Sequence, residues 1–332
     1  MKTLELYPVQ YEGYIAKDGI LQRVTRPLPP LGDQEVLVTI AAAGVNRADL
    51  LQAQGRYPAP PGTTDILGLE AAGIVQHVGA NVTGLRPGER VMCLLAGGGY
   101  ATHCIAHEAL CFPLPDTLSF VQGAALPEAC FALWNSLFFP GWVRPGEVLL
   151  IHGGSSGIGT IGCQLAKAFG VHVMVTVRTS EKAAVCLALG AESAILYPEE
   201  SFENKVLEKT QGLGVDAILD CVGGTYVARN LSILKPGGRL IQIGCQEGAN
   251  APVPLITLMQ NQLIFVGATL RNQPLDHKVA LAKTLYPLLN RLLTAGQLKP
   301  VIAETFSFQH VEDAHILMKS KKHIGKISLL LS

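Results

Sequence analysis

Residues 149–170 read LLIHGGSSGIGTIGCQLAKAFG. The stretch opens as a short apolar strand and closes as an amphipathic helix, with apolar residues at helical spacing. Four glycines (Gly153, Gly154, Gly157, Gly159) and two serines lie at the junction, without a charge among them. The first N–H groups of a helix have no intrahelical partner and carry a partial positive charge. Glycine lets an anion reach that backbone, and serine hydroxyls add donors. The stretch therefore predicts a pyrophosphate held by Gly154, Ser155, Ser156, Gly157, Ile158 and Gly159.

The spacing, Gly154-x-x-Gly157-x-Gly159, is not the GxGxxG fingerprint, and a sharp strand–helix turn uses glycine without any ligand as well. The surroundings decide the reading. VHVMVTV (171–177) is a strand and SEKAAVCLALG (180–190) a helix, with Ser180 placed as N-cap and Gly190 as the stop. SAILY (193–197), VDAILDCVGG (215–224), RLIQIG (239–244) and LIFVGAT (263–269) read as strands. SFENKVLEKTQG (201–212) and TYVARNLSILKPGG (225–238) read as helices. Strands alternating with helices predict an α/β fold with a doubly wound parallel sheet that binds a dinucleotide.

The end of the second strand chooses the cofactor. An acidic residue there would hold a ribose 2′-hydroxyl. Here it continues as Arg178, Thr179, Ser180, Glu181, Lys182. Two cations and two hydroxyls suit a 2′-phosphate, and Glu181 sits where a carboxylate favours the first helical turn. The expected cofactor is NADPH.

Before this region, EVLVTIAAAG (35–44), AAGIVQHVG (71–79) and GERVMCLLAGGGYATHCIA (88–106) are β-rich runs broken by Pro and Gly. ACFALWNSLFFP (129–140) reads as a helix stopped by Pro140. The tail supplies a long helix (274–296), a strand (300–306), a helix (311–320) and a last strand, GKISLLL (325–331), which needs a sheet to join. Residues 1–128 with 269–332 are expected to form one domain, mostly β, and 129–268 the nucleotide-binding domain.

The chain has 332 residues, 48% of them apolar, and a formal net charge of zero. The neutral balance argues against nucleic acid as a partner. No run of about 18 apolar residues predicts a membrane span, and MKTLELYPVQ at the start does not read as a secretion leader. Eight cysteines stand singly, mostly in apolar sequence, and are expected as buried thiols in a reducing cytoplasm. His103 and His107 fall in a strand pattern rather than on a helix, which argues against a metal pair. His152 reads as a core histidine. The apolar run 262–269 predicts a sheet edge and a homodimer joined there.

GVNRADL (44–50), QGRYPAPPG (54–62), LGLEAAG (67–73), LPEACFALW (126–134), DCVGG (220–224), LKPGGRL (234–240) and HIGKI (323–327) occur in this order. Together they resemble the zinc-free quinone oxidoreductase branch of the medium-chain dehydrogenase/reductase superfamily, over nearly the whole chain. The resemblance implies a Rossmann domain beside a GroES-like, mostly β catalytic domain. It implies that Asn46, Asp49 and Tyr57 line the active cleft. Tyr197 would lie near the adenosine phosphate, and Gly244, Cys245, Gln246, Thr269 and Leu270 would run past the nicotinamide half. Lys326 would reach the same cleft. His323 and Ala132 depart from the branch, which carries Asn and Thr there. Zinc-dependent members place a Cys and a His in the segments held here by GVNRADL and LGLEAAG, so no metal is expected.

The implied activity is zinc-independent, NADPH-dependent hydride transfer to a quinone, with the acceptor stacked on Tyr57. Two alternatives stay open: reduction of an α,β-unsaturated carbonyl, with Tyr57 delivering the proton, and a non-catalytic NADPH-binding role. Asn46 and Asp49 have a second reading as the cap and first turn of a short helix, RADLLQAQG.

Overall fold

The computed structural model describes residues 7–331. The leader reading rests in part on residues 1–6, which lie outside them. The chain forms two compact units: the described parts of Met1–Phe131 and Arg271–Ser332 make one, and Ala132–Leu270 the other.

The first unit begins with a hairpin, β1 (Gln10–Lys17) and β2 (Ile20–Pro27). Strands β3 (Glu35–Val45), β4 (Glu70–Val78), β5 (Arg90–Leu94), β6 (His103–His107) and β7 (Cys111–Pro113) follow. The short helices α1 (Arg47–Ala53), α2 (Phe120–Gly123) and α3 (Pro127–Leu133) punctuate them. Strands β3 to β5 bury Val36, Val38, Val75, Val91 and Cys93 in one core. The continuous helix expected over 129–140 is interrupted: after Leu133 the backbone widens into a π turn over Trp134–Phe138. The N–H of Phe139 reaches the carbonyl of Trp134, and the Ser136 hydroxyl donates to the Ala132 carbonyl at 2.7 Å. The turn lets Trp134 and Phe138 both pack on Phe169, at ring separations of 5.7 and 4.7 Å.

In the second unit, strands and helices alternate: β8 (Val148–His152), α4 (Gly157–Ala168), β9 (His172–Val177), α5 (Ser180–Ala188), β10 (Ser193–Leu196), α6 (Phe202–Lys209), β11 (Val215–Asp220), α7 (Tyr226–Leu231), β12 (Leu234–Gln242), α8 (Leu255–Gln260) and β13 (Ile264–Gly267). The six strands are parallel, in the order β10-β9-β8-β11-β12-β13. This is a Rossmann-type sheet. Its central strands are buried almost throughout because helices cover both faces. Leu150, Ile218, Leu240, Phe202 and Val206 share one core.

Two local expectations are corrected here. The helix placed over 225–238 ends at Leu231, and Leu234 already pairs with Val215 of β11. Pro236 and Gly237, whose φ is +74°, fall in the irregular stretch before pairing resumes at Arg239, a place where a sheet tolerates proline. The N-cap of α5 is Thr179, not Ser180: its hydroxyl accepts the Lys182 N–H at 3.3 Å.

The tail returns to the first unit with α9 (Leu275–Thr294), β14 (Ile302–Ser307), α10 (Val311–Ser320) and β15 (Lys326–Leu330). Strand β15 runs parallel to β14 and antiparallel to β3, so the last strand does find its sheet, in the order β14-β15-β3-β4-β5-β7 with β6 paired to β3. Six cysteines are buried as expected, but Cys221 is half-buried and Cys245 exposed, each following a strand end.

Candidate functional site

The glycine turn follows β8 directly. Strands β8 and β11 are neighbours, and the chain leaves β8 toward β9 on one side while β12 lies on the other. That is a topological switch point, where open parallel sheets leave a crevice at the strands' carboxyl ends. The turn is close-fitted. A Cβ on Gly154 would stand 2.4 Å from Val175 Cβ, and one on Gly159 would stand 2.4 Å from the Gly154 carbonyl oxygen. Gly153 adopts φ +75°. Ser156 caps α4, its hydroxyl accepting the Gly159 N–H at 3.0 Å.

Beneath the turn lies a buried polar chain, of which the sequence pattern announces only a core histidine. His152 is 2% exposed. Its Nε2 faces Asn230 Oδ1 at 2.7 Å, and the Asn230 amide donates to Asp220 Oδ2 at 3.1 Å. Nε2 therefore carries the proton, and Nδ1 accepts from the Thr176 hydroxyl at 3.0 Å. The Thr176 oxygen in turn accepts the Gly153 N–H at 3.3 Å. Burial lowers the imidazole pKa, in keeping with a neutral ring. The chain fixes the first glycine of the turn from below. Nothing in the local sequence of Thr176 or Asn230 announces this; it needs three strands side by side.

At the end of β9, Arg178 Nε donates to the Tyr197 hydroxyl at 3.0 Å. Burial and the adjacent Arg178 charge lower the Lys182 pKa. Two like charges are held here beside the Tyr197, Thr179 and Ser180 hydroxyls, an arrangement that an anion relieves. This donor set and the glycine cradle fit a dinucleotide with an additional phosphate. Tyr197 follows β10, Gly244, Cys245 and Gln246 follow β12, and Thr269 and Leu270 follow β13. Every predicted cofactor residue except Lys326 thus lies just beyond the carboxyl end of a parallel strand of one sheet.

The remaining candidates are in the first unit. Asn46 is the N-cap of α1, and its own N–H is held by Asp49 Oδ2 at 2.7 Å. Its side chain is also engaged: the amide donates to Glu70 Oε1 at 2.8 Å, and Oδ1 accepts from the Lys326 ammonium. Lys326 pairs with Glu70, the two being 3% and 0% exposed, and also donates to the Val45 carbonyl. The second Glu70 oxygen accepts the Glu128 N–H at 2.9 Å. The cap position of Asn46 and its bonds to Glu70 and Lys326 therefore coexist in one network.

Asp49 is fully buried and receives the Tyr100 hydroxyl at 3.0 Å, which also meets His315 Nε2 at 3.3 Å. Burial pushes the Asp49 carboxyl up to about 6 and brings His315 down to about 4. Tyr57 is half-buried under the guanidinium of Arg271, 5.5 Å from ring centroid to Cζ. Burial, with Glu128 next, raises the Tyr57 pKa, so the phenol keeps its proton. Burial and Glu70 push Glu128 up to about 8. Arg271 lies in the segment 268–272 and Tyr100 in the loop 97–100, both expected at the cleft, whereas Lys278, Glu128 and His315 do not stand out in the sequence. The lysine on α9 looks there like one of many helix-surface cations.

Residues 32–116 match the alcohol dehydrogenase GroES-like domain family, and residues 157–284 match the zinc-binding dehydrogenase family. The rat quinone oxidoreductase is 31% identical over 92% of this chain and 91% of its own length. The chain belongs to the medium-chain dehydrogenase/reductase superfamily. Another of its relatives is a phenolphthiocerol/phthiocerol polyketide synthase of Mycobacterium tuberculosis, 33% identical over 90% of this chain; the chain spans 14% of that protein's length. The Escherichia coli quinone oxidoreductase complexed with NADPH superposes with a TM-score of 0.86 at 28% identity, covering 97% of this chain and 100% of that one.

In this medium-chain dehydrogenase/reductase, the segments 44–50 and 67–73, where zinc-dependent members are expected to carry metal ligands, hold Asn46 and Glu70, the latter paired with Lys326. Among the described residues, no group of three or more His, Cys, Asp or Glu side chains is placed to hold a metal ion. No helix among them is long and apolar enough to cross a membrane.

Proposed function

We propose that the protein is an NADPH-dependent, zinc-independent reductase that transfers hydride to a quinone. The observation that carries the reading is the cationic end of β9, where Arg178, braced by Tyr197, lies beside Lys182. A site built for the extra phosphate selects the cofactor that cells keep for reduction. Likeness to quinone oxidoreductases supports the acceptor class.

NADPH, when bound, supplies the hydride. The chain's own residues do the rest. The N–H groups at the start of α4, with Ser155 and Ser156, hold the pyrophosphate. Arg178, Lys182, Thr179 and Ser180 hold the 2′-phosphate. Gly244 to Gln246, Thr269 and Leu270 shape the nicotinamide end. Tyr57 offers its ring face to a flat acceptor, and orientation there supplies much of the acceleration. Lys326, Glu70, Asn46 and Asp49 hold α1 and β4 in place. A quinone accepts hydride at oxygen or carbon and leaves a weakly basic anion, so no strong acid is required.

An α,β-unsaturated carbonyl is the second reading, favoured by the protonated Tyr57 phenol and by Glu128, both able to give a proton to carbon. The test is loss of reduced-nicotinamide absorbance with a panel of ortho- and para-quinones and of enones. Quinone-dependent oxidation of NADPH sustains the first reading. Turnover confined to enones replaces it with the second, and binding of NADPH without any oxidation overturns both.

A further inference from the structure

Arg271 is 3% exposed, and its fork is only partly used. Nε donates to the Ala96 carbonyl at 2.8 Å and Nη1 to the Tyr57 carbonyl at 3.2 Å. The Lys278 ammonium donates to the carbonyl of Arg271 itself at 2.7 Å and pins the backbone behind it. Nη2, buried like the rest, meets no acceptor among the described residues. A guanidinium donor left unpaired away from water costs more than an ordinary lost hydrogen bond. Folds keep such an atom where a partner arrives later or where a function uses it.

The charge around it is set for an anion. Arg271 and Lys278 are cations, and the Glu128 carboxyl keeps its proton to about pH 8, which removes one of the negative charges facing them. Asp49 is the remaining carboxylate acting on Arg271; its Oδ2 accepts from the Asn46 N–H and the Tyr100 hydroxyl, while its buried Oδ1 meets no donor among the described residues. The guanidinium carries the ring of Tyr57 on its face.

We propose that Nη2 of Arg271 is the donor for the acceptor's oxygen, giving the protein an oxyanion site beside Tyr57 for a carbonyl that becomes a phenolate or enolate. The inference rests on the acceptor lying at Tyr57, as in the function proposed above. Nη2 is buried, so the side chains packed on the guanidinium, the Tyr57 ring among them, shift as the oxygen arrives. A planar, preorganised fork gains strength as negative charge develops, and thereby favours the transition state over the neutral carbonyl.

A probe that needs no turnover tests this. 4-Nitrophenol resembles a quinol monoanion, and its ionised form is yellow. Titrated with the NADP⁺-loaded protein, its ionisation should move down by about one unit or more, as beside any close guanidinium. Arg271→Met should abolish the shift. Arg271→Lys, which keeps the charge and loses the fork, should retain a smaller one and covers the case in which the methionine variant fails to fold. Unchanged NADP⁺ affinity in either variant reports an intact nucleotide unit. An equal shift in wild type and both variants, or no shift in wild type, overturns the proposal. A shift that depends on Arg271 in a protein that reduces no quinone or enone leaves the oxyanion site standing and removes the reductase reading.

Discussion

The ammonium of Lys326, on the last strand, is bonded to the carboxylate of Glu70, on β4, with both groups shut off from solvent. Removing one partner strands a charge in a dry interior and costs about 3–5 kcal/mol. Lys326→Met and Glu70→Leu should each lower urea stability by about that amount. The double variant should be less damaged than the sum of the two, because no lone charge remains. Additive losses would show that the pair is not coupled.

Glu128 gives a pH signature. Its pKa is raised to about 8 in the folded chain, above the unfolded value of about 4.3. The native state then holds the proton more tightly, so the favourable contribution is fully present below pH 4.3 and is lost as pH rises through 8. Glu128→Gln, which stays neutral, should lose less stability than wild type between pH 6 and about 9 in thermal melts. Parallel curves would remove the assignment.

Nucleotide preference tests the end of β9. Lys182→Ala should weaken NADPH binding by about tenfold to a hundredfold, from about 1.5–3 kcal/mol of charge-assisted contact, and leave NADH nearly unchanged. Calorimetry with both nucleotides decides it, and equal losses would send the phosphate elsewhere.

The glycine turn has no spare room. Gly154→Ala places a methyl group 2.4 Å from Val175 Cβ. The change should cost about 1–3 kcal/mol of stability, as overpacking does, and should weaken NADPH more than tenfold by shifting the turn (about 1.4 kcal/mol per decade). Fluorescence titration of NADPH reads the second effect.

Strand β13 is the outer strand of its sheet, with Ile264 and Phe265 partly open to solvent. We propose that two copies join along it, since an apolar edge invites pairing. Sedimentation should give a dimer at micromolar concentration and a monomer for Phe265→Lys. A monomeric wild type would end the idea.

The alternation of strands and helices after residue 148 is readable because buried parallel strands are continuous apolar runs and helices carry a stripe. The break at Leu234 is not, because only Val215 alongside makes that leucine a strand residue. Thr179 and Ser180 are both good caps in sequence; the backbone angles choose between them. Lys278, which holds the Arg271 carbonyl, is hidden for a related reason. A buried lysine or arginine looks like a surface one until distant segments close over it. Asn46 and Lys326 are 280 positions apart, and their bond belongs to the fold alone.

Because β15 is inserted between β14 and β3, the first sheet cannot be completed until the chain beyond residue 325 has left the ribosome. The nucleotide unit, contiguous from 132 to 270, can assemble earlier. A nascent chain arrested after residue 300 should therefore carry a folded nucleotide cradle attached to an unfinished β unit, with Glu70 still awaiting its counter-ion.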